Sequence, residues 1–425
     1  MQIILACAYC ALFIYFIRKI KFFQSEGIPT TWPIFLFLLK VIAGVALGLI
    51  YTYHYTDIKT TDTWKFFNDS KIMFSAVHEH PYDFFRMFTG FDGDSFELRI
   101  YYERMDAWLN TNLLFNDNKT IIRLNAFFHF FSLGYYYVHV VFMNCLSFTG
   151  LFCLYKVFTR IIKNSAKEIL LFTFLFPSVL FWGSGLLKDS LLIFGLGLFI
   201  YQFYLFTIDG LKVKRILLLL LSIGLLSIIK FYILILILPG IIGWLLSKNF
   251  APKNSLSVIA ILYILFFIVA FNFHYLAPEY DLSAILYWKQ FNFYGYANAV
   301  ESKSLIEIPR LGFTPWSIIR NVPNAFFTSL LRPLITDIHH NPLILFAAIE
   351  NLLILFFLVF TLFTFKKPDD SNRGFFWMSV FFIVSLFSLI GLTTPVLGAI
   401  VRYKIPALPF LGFIILSLTR KRIFN

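Results

Sequence analysis

The amino-acid sequence predicts an all-α, polytopic integral membrane protein with about eleven transmembrane helices and two long extracytoplasmic loops that contain amphipathic helices. Hydrophobic residues make up 59% of the chain and charged residues only 14%, whereas soluble domains are about 45–50% apolar and about 25% charged. Bilayer-length apolar runs recur, and clusters of lysine and arginine follow alternate runs. These observations exclude a water-soluble fold. Because topology explains much of the net charge of +13, we predict no nucleic-acid partner.

The apolar runs predict the spans in chain order, and several are shorter than the roughly 20 residues that a straight span needs. Residues 216–246 allow two tight spans, one long tilted helix or a re-entrant pair, because Lys230 separates two short halves. We expect one transmembrane domain over residues 1–425. The predicted spans are residues 3–16, 32–53, 133–155, 169–182, 191–207, 216–229, 232–246, 258–273, 343–365, 375–392 and 406–418.

The basic clusters predict the orientation of the chain. They follow the first, third, fifth, seventh and ninth runs and close the chain, as eleven spans with a cytoplasmic C-terminus require. The N-terminus is then outside, together with loops 56–125 and 274–341. A chain so rich in phenylalanine and lysine fits a bacterial genome, so we expect the inner, cytoplasmic membrane of a bacterium.

The elbow, residues 183–190 (GSGLLKDS), joins two apolar runs and carries a Lys-Asp pair. Charges beside bilayer-length apolar segments are costly and usually functional. Lys188 and Asp189 either form a local ion pair that caps the following helix, or supply a catalytic acid and a lysine that binds a lipid phosphate. Lys230 lies in apolar surroundings on the same predicted side and needs an acid or a phosphate as its partner.

Asp62 opens the first outer loop directly after a span. It either caps an amphipathic helix or acts as a general base at the membrane surface, and the two roles are compatible. Arg402 and Lys404 precede the last span on the predicted outer side, where the positive-inside rule predicts no cations. They are therefore candidate phosphate ligands.

Two further groups of charges are candidates for positioning the acceptor or the loops. Residues 95–109 read as a mixed-charge helix that includes Arg99 and Glu103, either a solvated face or a phosphate anchor. Arg332 lies near a predicted helix end, and Glu350 inside an apolar run requires a cationic partner.

Metal ligands are weakly indicated. Asp92 and Asp94 lack the further ligands of a calcium loop, and no third ligand accompanies His78-Glu-His80 or His339-His340. The four cysteines lie in apolar runs without zinc spacing. We therefore predict no metal site and no definite cofactor, and leave a divalent metal open.

Several of these pieces together resemble the GT-C superfamily of membrane glycosyltransferases, or an uncharacterised bacterial polytopic family similar to it. Unlike the usual family pattern, Asp62 follows the second span rather than the first, and threonine rather than an acid comes next. The matching features are Asp62 with Trp64 and Phe66, Asp189 with the Ser-Leu-Leu-Ile-Phe that follows, and Arg402-Tyr403 with Pro406 and Pro409 before the terminal helix.

The resemblance implies a function and a role for each residue. A sugar moves from a polyprenyl-phosphate-linked donor to a glycan, lipid or protein acceptor at the outer face of the membrane. Asp62 is the catalytic acid or base, and Asp189 is a second acid that positions the acceptor or a metal. The donor phosphate is held by Lys188, Lys230, Arg402 and Lys404.

Two other functions remain open from the sequence. A Wzy-like polysaccharide polymerase or ligase also has a large outer loop and essential arginines, and it releases a polyprenyl diphosphate rather than a monophosphate. A transporter or flippase of lipid-linked sugar is the second alternative, although the chain shows no internal repeat and its charges gather on one face.

Overall fold

The computed structural model describes residues 1–25, 27–53, 61–108, 115–163, 165–210, 212–337 and 342–420. Over these residues the chain is helical, and β-type pairing is limited to isolated bridges. The predicted all-α class is confirmed. The helices are α1 Gln2–Lys19, α2 Thr31–Tyr53, α3 Asp62–Glu79, α4 Pro81–Thr89, α5 Arg99–Tyr102, α6 Asp117–Ser132, α7 Tyr136–Ile161, α8 Ala166–Phe174, α9 Pro177–Trp182, α10 Lys188–Asp209, α11 Val213–Phe250, α12 Ser255–Asn272, α13 Leu282–Ala299, α14 Pro315–Leu331, α15 Pro342–Phe363, α16 Arg373–Thr393, α17 Leu397–Lys404 and α18 Leu408–Leu418.

Eight helices of the described chain are long and apolar enough to cross a membrane, or nine if α17 and α18, bent by 63°, together form one span. This finding confirms a polytopic membrane protein, while the count of eleven stays a prediction. The structure differs from the predicted spans at residues 169–182, which form the two short helices α8 and α9. Pro177 starts α9 because proline disfavours helical backbone in the residue before it.

The segment around Lys230 is a single long helix with one break. The backbone of Lys230 has φ −151° and ψ 77°, outside the helical region, and helical residues continue on both sides. The break therefore falls at the lysine that separates the two apolar halves of α11.

The chain divides into two compact units, each with its own core. Unit 1 comprises residues 1–157 and 179–231, and unit 2 comprises residues 158–178 and 232–425. In unit 1, α7 and α10 approach closely at Gly150 and Gly197, where a side chain would collide with the opposing backbone. In unit 2, α14 and α16 approach in the same way at Ala325 and Gly391.

The described parts of both predicted outer loops contain helices. In the first loop, α3 packs against α4 and α6, and the second loop contains α13 and α14. The predicted continuous helix over residues 95–109 is wrong, since over the described part, residues 95–108, only a 3-10 turn and the four-residue α5 form. The physical reason is Asp69, whose carboxylate accepts the backbone N–H groups of residues 106–108 and so holds that stretch as a turn.

Candidate functional site

The elbow of unit 1 is held by polar side chains from the neighbouring spans. The ammonium group of Lys40 donates to the carbonyl oxygen of Gly183 (2.8 Å) and to the hydroxyl of Ser184 (2.9 Å). The amide of Asn144 donates to the Ser184 carbonyl at 2.7 Å, and the Ser147 hydroxyl donates to that of Gly183. Irregular backbone at membrane depth is tolerated only where such partners satisfy it. These bonds therefore fix the point from which α10 starts.

The first residues of α10 form two ion pairs with other helices. Lys188 Nζ lies 2.6 Å from Asp117 Oδ2, at the start of α6. Asp189 Oδ1 lies 3.1 Å from Lys230 Nζ, and the Asp189 side chain is only 1% exposed. Lys188 and Lys230 thus each contact a carboxylate from another helix. The ion pairs at this position join separate helices, whereas the sequence also allowed a local pair between Lys188 and Asp189.

The beginning of α3 lies beside the same group of charges. The ammonium of Lys188 lies over the ring of Phe66, 5.4 Å from its centroid. Phe66 is one helical turn after Asp62, so the two side chains share a face of α3. The starts of α3, α6 and α10 are therefore close together, and each carries an aspartate in its first turn.

Asp62 is the first residue of α3 and is partly buried. A carboxylate in the first turn is favoured by the helix dipole, typically by about 0.3–1 kcal/mol. The indole of Trp64 stacks on Tyr136 with ring centroids 4.2 Å apart, and its N–H donates to Thr52. These contacts tie the start of α3 to the ends of two spans, α2 and α7.

The remaining buried candidates meet in unit 2. The Glu350 carboxylate accepts the backbone N–H of Ser178 at 2.6 Å and its hydroxyl at 2.8 Å, and so caps the start of α9. Lys404 Nζ donates to Asn351 Oδ1 at 3.0 Å and to the Arg332 carbonyl at 3.3 Å. Glu350 also interacts electrostatically with Lys404, the cationic partner that its position required.

The side chain of Arg332 pairs within its own segment. Its Nε and Nη2 donate to the two carboxylate oxygens of Asp337 at 3.0 and 2.6 Å. Asn351 donates to the carbonyl oxygens of Leu331 and Pro333, which fixes the same segment against α15. These contacts connect the segment around Arg332 with α15 and with Lys404 of α17. A phosphate-binding role for Lys404 and Arg402 stays a prediction.

Arg99 and Glu103 lie on the exposed surface of unit 1. The Arg99 guanidinium lies over the ring of Phe96, 5.1 Å from its centroid. Their role in positioning the loop or an acceptor stays a prediction. Within the described residues no group of three or more His, Cys, Asp or Glu side chains has the geometry of a metal site, and His339-His340 lie outside those residues.

One cavity of about 310 Å³ lies within unit 2, and its lining contains none of the predicted site residues. Lys163, Glu168, Lys366 and Arg420 contribute charge to its wall. All four lie in or beside the basic segments that the sequence predicts on the cytoplasmic side.

Sequence reasoning missed several buried charges, of which Lys40 and Asp69 contribute most to the architecture. The sequence does indicate that Lys40 is unusual, since it is the one charged residue in the apolar run of α2. Asp69 had none, because an acid on an amphipathic helix is ordinarily solvated. Burial raises the pKa of Asp69, and the three backbone N–H bonds oppose that rise.

Comparison of the chain with protein-family models, with curated proteins and with solved structures finds no match.

Proposed function

We propose that the chain is a GT-C-like membrane glycosyltransferase, which moves a sugar from a polyprenyl-phosphate-linked donor to a glycan, lipid or protein acceptor at the extracytoplasmic face. The observation that carries the proposal is the cluster of charges at the starts of α3, α6 and α10. In this cluster Lys188 pairs with Asp117 and contacts the turn after Asp62, while Asp189 pairs with Lys230. Ion pairs at the ends of apolar helices are rare and usually functional.

The chemistry of these groups suits transfer from a lipid phosphate. The bond between the anomeric carbon and the phosphate oxygen breaks, and the acceptor oxygen bonds to that carbon. Asp62 takes the proton of the acceptor hydroxyl as the general base. Lys188 and Lys230 stabilise the negative charge of the departing polyprenyl phosphate, and helix N-termini add to this effect.

The ion pairs give each lysine a defined starting position. Asp117 and Asp189 hold the two ammonium groups in place before the donor binds. A phosphate has more negative charge and more acceptor atoms than a carboxylate, so it is able to share these lysines. A donor whose lipid chain stays in the bilayer presents its head group at the level of these helix starts.

The test is transfer by the purified chain in liposomes that contain polyprenyl-phosphate sugars. We expect Asp62→Asn to lower the rate about 10²–10⁴-fold, which is the usual contribution of a general base. Asp106→Asn, an exposed acid of the same loop, is the matched control and should keep full activity. Both variants must insert and fold as the wild type does.

The product identifies the reaction class. Release of a polyprenyl monophosphate supports the proposal, and release of a diphosphate indicates a polymerase or ligase instead. Bound lipid-linked sugar without turnover indicates a transporter. An Asp62→Asn enzyme with wild-type activity would remove Asp62 from the mechanism.

A further inference from the structure

The cavity of unit 2 lies where three segments of the chain each contribute a cation. Its volume of about 310 Å³ is at the lower end of the range of ligand pockets, which is about 300–1,000 Å³. Lys163 follows α7, Lys366 follows α15 and Arg420 follows α18, and all three line the cavity. All three residues are exposed, which places them at its opening.

The segments that carry these cations are held together by hydrogen bonds. The backbone N–H of Lys366 donates to the carbonyl oxygen of Leu418 at 2.8 Å, and that of Arg420 donates to the carbonyl oxygen of Thr364 at 2.9 Å. The side chain of Asn372, which also lines the cavity, donates to a carbonyl oxygen at the end of α7 at 3.0 Å. The cavity is therefore formed before a ligand binds, and a preorganised site loses little entropy on binding.

The cations at the opening are available to a ligand. Over the described residues, the side chains of Lys163 and Arg420 form no ion pair. Lys366 lies 3.2 Å from Asp369, but these side chains are 48% and 60% exposed, and such exposed pairs are weak and screened by salt. Arginine binds an oxyanion through its planar fork and lysine binds it as a point charge, so the opening suits a phosphate.

The wall of the cavity also contains a buried acid, Glu168, which is 4% exposed. In the part of the chain that the structure describes, its carboxylate forms no hydrogen bond and no ion pair. The positive-inside rule accounts for cations on this predicted side, but it does not account for a buried acid. A buried carboxylate is costly unless a cation or a donor contacts it. Phe376, Phe413 and Leu416 are also buried and supply the apolar part of the wall.

We propose that this cavity binds a phosphate ester that also carries an ammonium group, such as phosphoethanolamine. The phosphate contacts Lys163, Lys366 and Arg420 at the opening, and the ammonium group contacts Glu168 inside. A ligand with phosphate alone would leave Glu168 without a cation, and a ligand with ammonium alone would face three cations at the opening. The same chemistry comes from two sources, the head group of phosphatidylethanolamine or the free phosphate ester.

Binding here is independent of the proposed sugar transfer, because the described wall contains none of the transfer-site residues. The test uses the full chain in detergent, titrated with short-chain phosphatidylethanolamine, short-chain phosphatidylglycerol and free phosphoethanolamine. The rise in the thermal unfolding midpoint gives the half-saturating concentration of each. We expect phosphatidylethanolamine to bind at least about tenfold more tightly than phosphatidylglycerol, which has the phosphate but no ammonium group.

The free ester identifies the source of the ligand. Free phosphoethanolamine that saturates the protein as readily as the lipid does would identify a soluble phosphate ester. Saturation by the lipid alone would identify a membrane head group. Both results support the cavity as a site for this chemistry.

Variants test the two parts of the cavity separately. Glu168→Gln keeps the shape of the side chain and removes its charge, so the preference for phosphatidylethanolamine should fall to within about threefold. Arg420→Gln should weaken the binding of both lipids at least about tenfold. Lys367→Gln is the matched control, because this exposed lysine is next to Lys366 in the chain but does not line the cavity, and it should bind as wild type does.

Several results would overturn the site. A wild-type protein that binds neither lipid, or that binds both equally, would do so without depending on the folding of any variant. An unchanged preference in Glu168→Gln would remove the acid from the site, and equal weakening by Lys367→Gln would indicate nonspecific attraction to basic residues. Loss of binding on removal of residues 421–425 would assign the anion to that segment instead of the cavity.

Discussion

The buried ion pair between Asp189 and Lys230 should couple the start of α10 to the break in α11. We expect Asp189→Asn and Lys230→Met each to destabilise unit 1, because each leaves its partner's charge in an apolar environment. The double variant removes both charges, so it should lose less stability than the two single variants together.

The magnitude follows from the geometry of the pair. The charged atoms are 3.1 Å apart, and the side chains are 1% and 13% exposed. Coulomb's law at that distance yields about 5 kcal/mol with an effective dielectric constant of about 20, before the desolvation cost is subtracted. Removing one member of a buried pair costs about 3–5 kcal/mol. We therefore expect a coupling energy of about 2–3 kcal/mol between the two substitutions.

The assay is a double-mutant cycle on the free energy of unfolding in detergent. Unfolding is followed by the labelling of Cys153, a buried thiol of unit 1 that becomes reactive only when its surroundings open. Lys65→Met, a lysine of α3 outside this pair, combined with Asp189→Asn is the control cycle and should show additive effects.

Additive effects in the Asp189–Lys230 cycle would refute the reasoning. They would mean that the two charges do not stabilise each other in the folded protein.

Two further predictions concern buried side chains of unit 1. Lys40→Met should lower the free energy of unfolding by about 1–3 kcal/mol, since it removes two buried hydrogen bonds to the elbow. A loss below about 0.5 kcal/mol would contradict the structural role. His129 should make stability depend on pH, because burial and then the charge of Lys71 lower its pKa from 6.5 to about 4. In that interval the unfolded chain binds more protons, so stability should fall by up to about 3 kcal/mol as the pH drops from 6.5 to 4. His129→Asn should reduce the dependence of the unfolding free energy on pH, whereas the substitution of the exposed His78 by Asn should leave it unchanged. Denaturant titrations at each pH measure both.

Several residues of the site could be predicted from the sequence, because charges within apolar membrane segments are costly and therefore rare. Lys188, Asp189, Lys230 and Glu350 stand out in apolar surroundings, and the structure gives each of them a polar partner. The identity of those partners was not predictable. Asp117 is an ordinary residue of the loop helix α6 and Ser178 of the short helix α9, and nothing in their local sequence indicates which distant charge they contact.

The candidate residues are divided between the two compact units, which the sequence pattern did not predict. Asp62, Lys188, Asp189 and Lys230 belong to unit 1, whereas Arg332, Glu350, Arg402 and Lys404 belong to unit 2. The sequence treated them as one set because all were charges predicted on the same side of the membrane. Side is encoded locally by flanking lysine and arginine, but proximity depends on how the helices pack.

Composition and periodicity by themselves determined the membrane class and the helical fold, because the cost of burying unsatisfied backbone in lipid leaves few alternatives. They also determined that the charges of the elbow and of Lys230 needed partners. Only the tertiary structure decided which partners these are, how Lys40 and Asp69 support the elbow and the loop, and that three cations from separate segments line one cavity. Those contacts join residues far apart in the chain, and their energies depend on distance and burial, which no local pattern encodes.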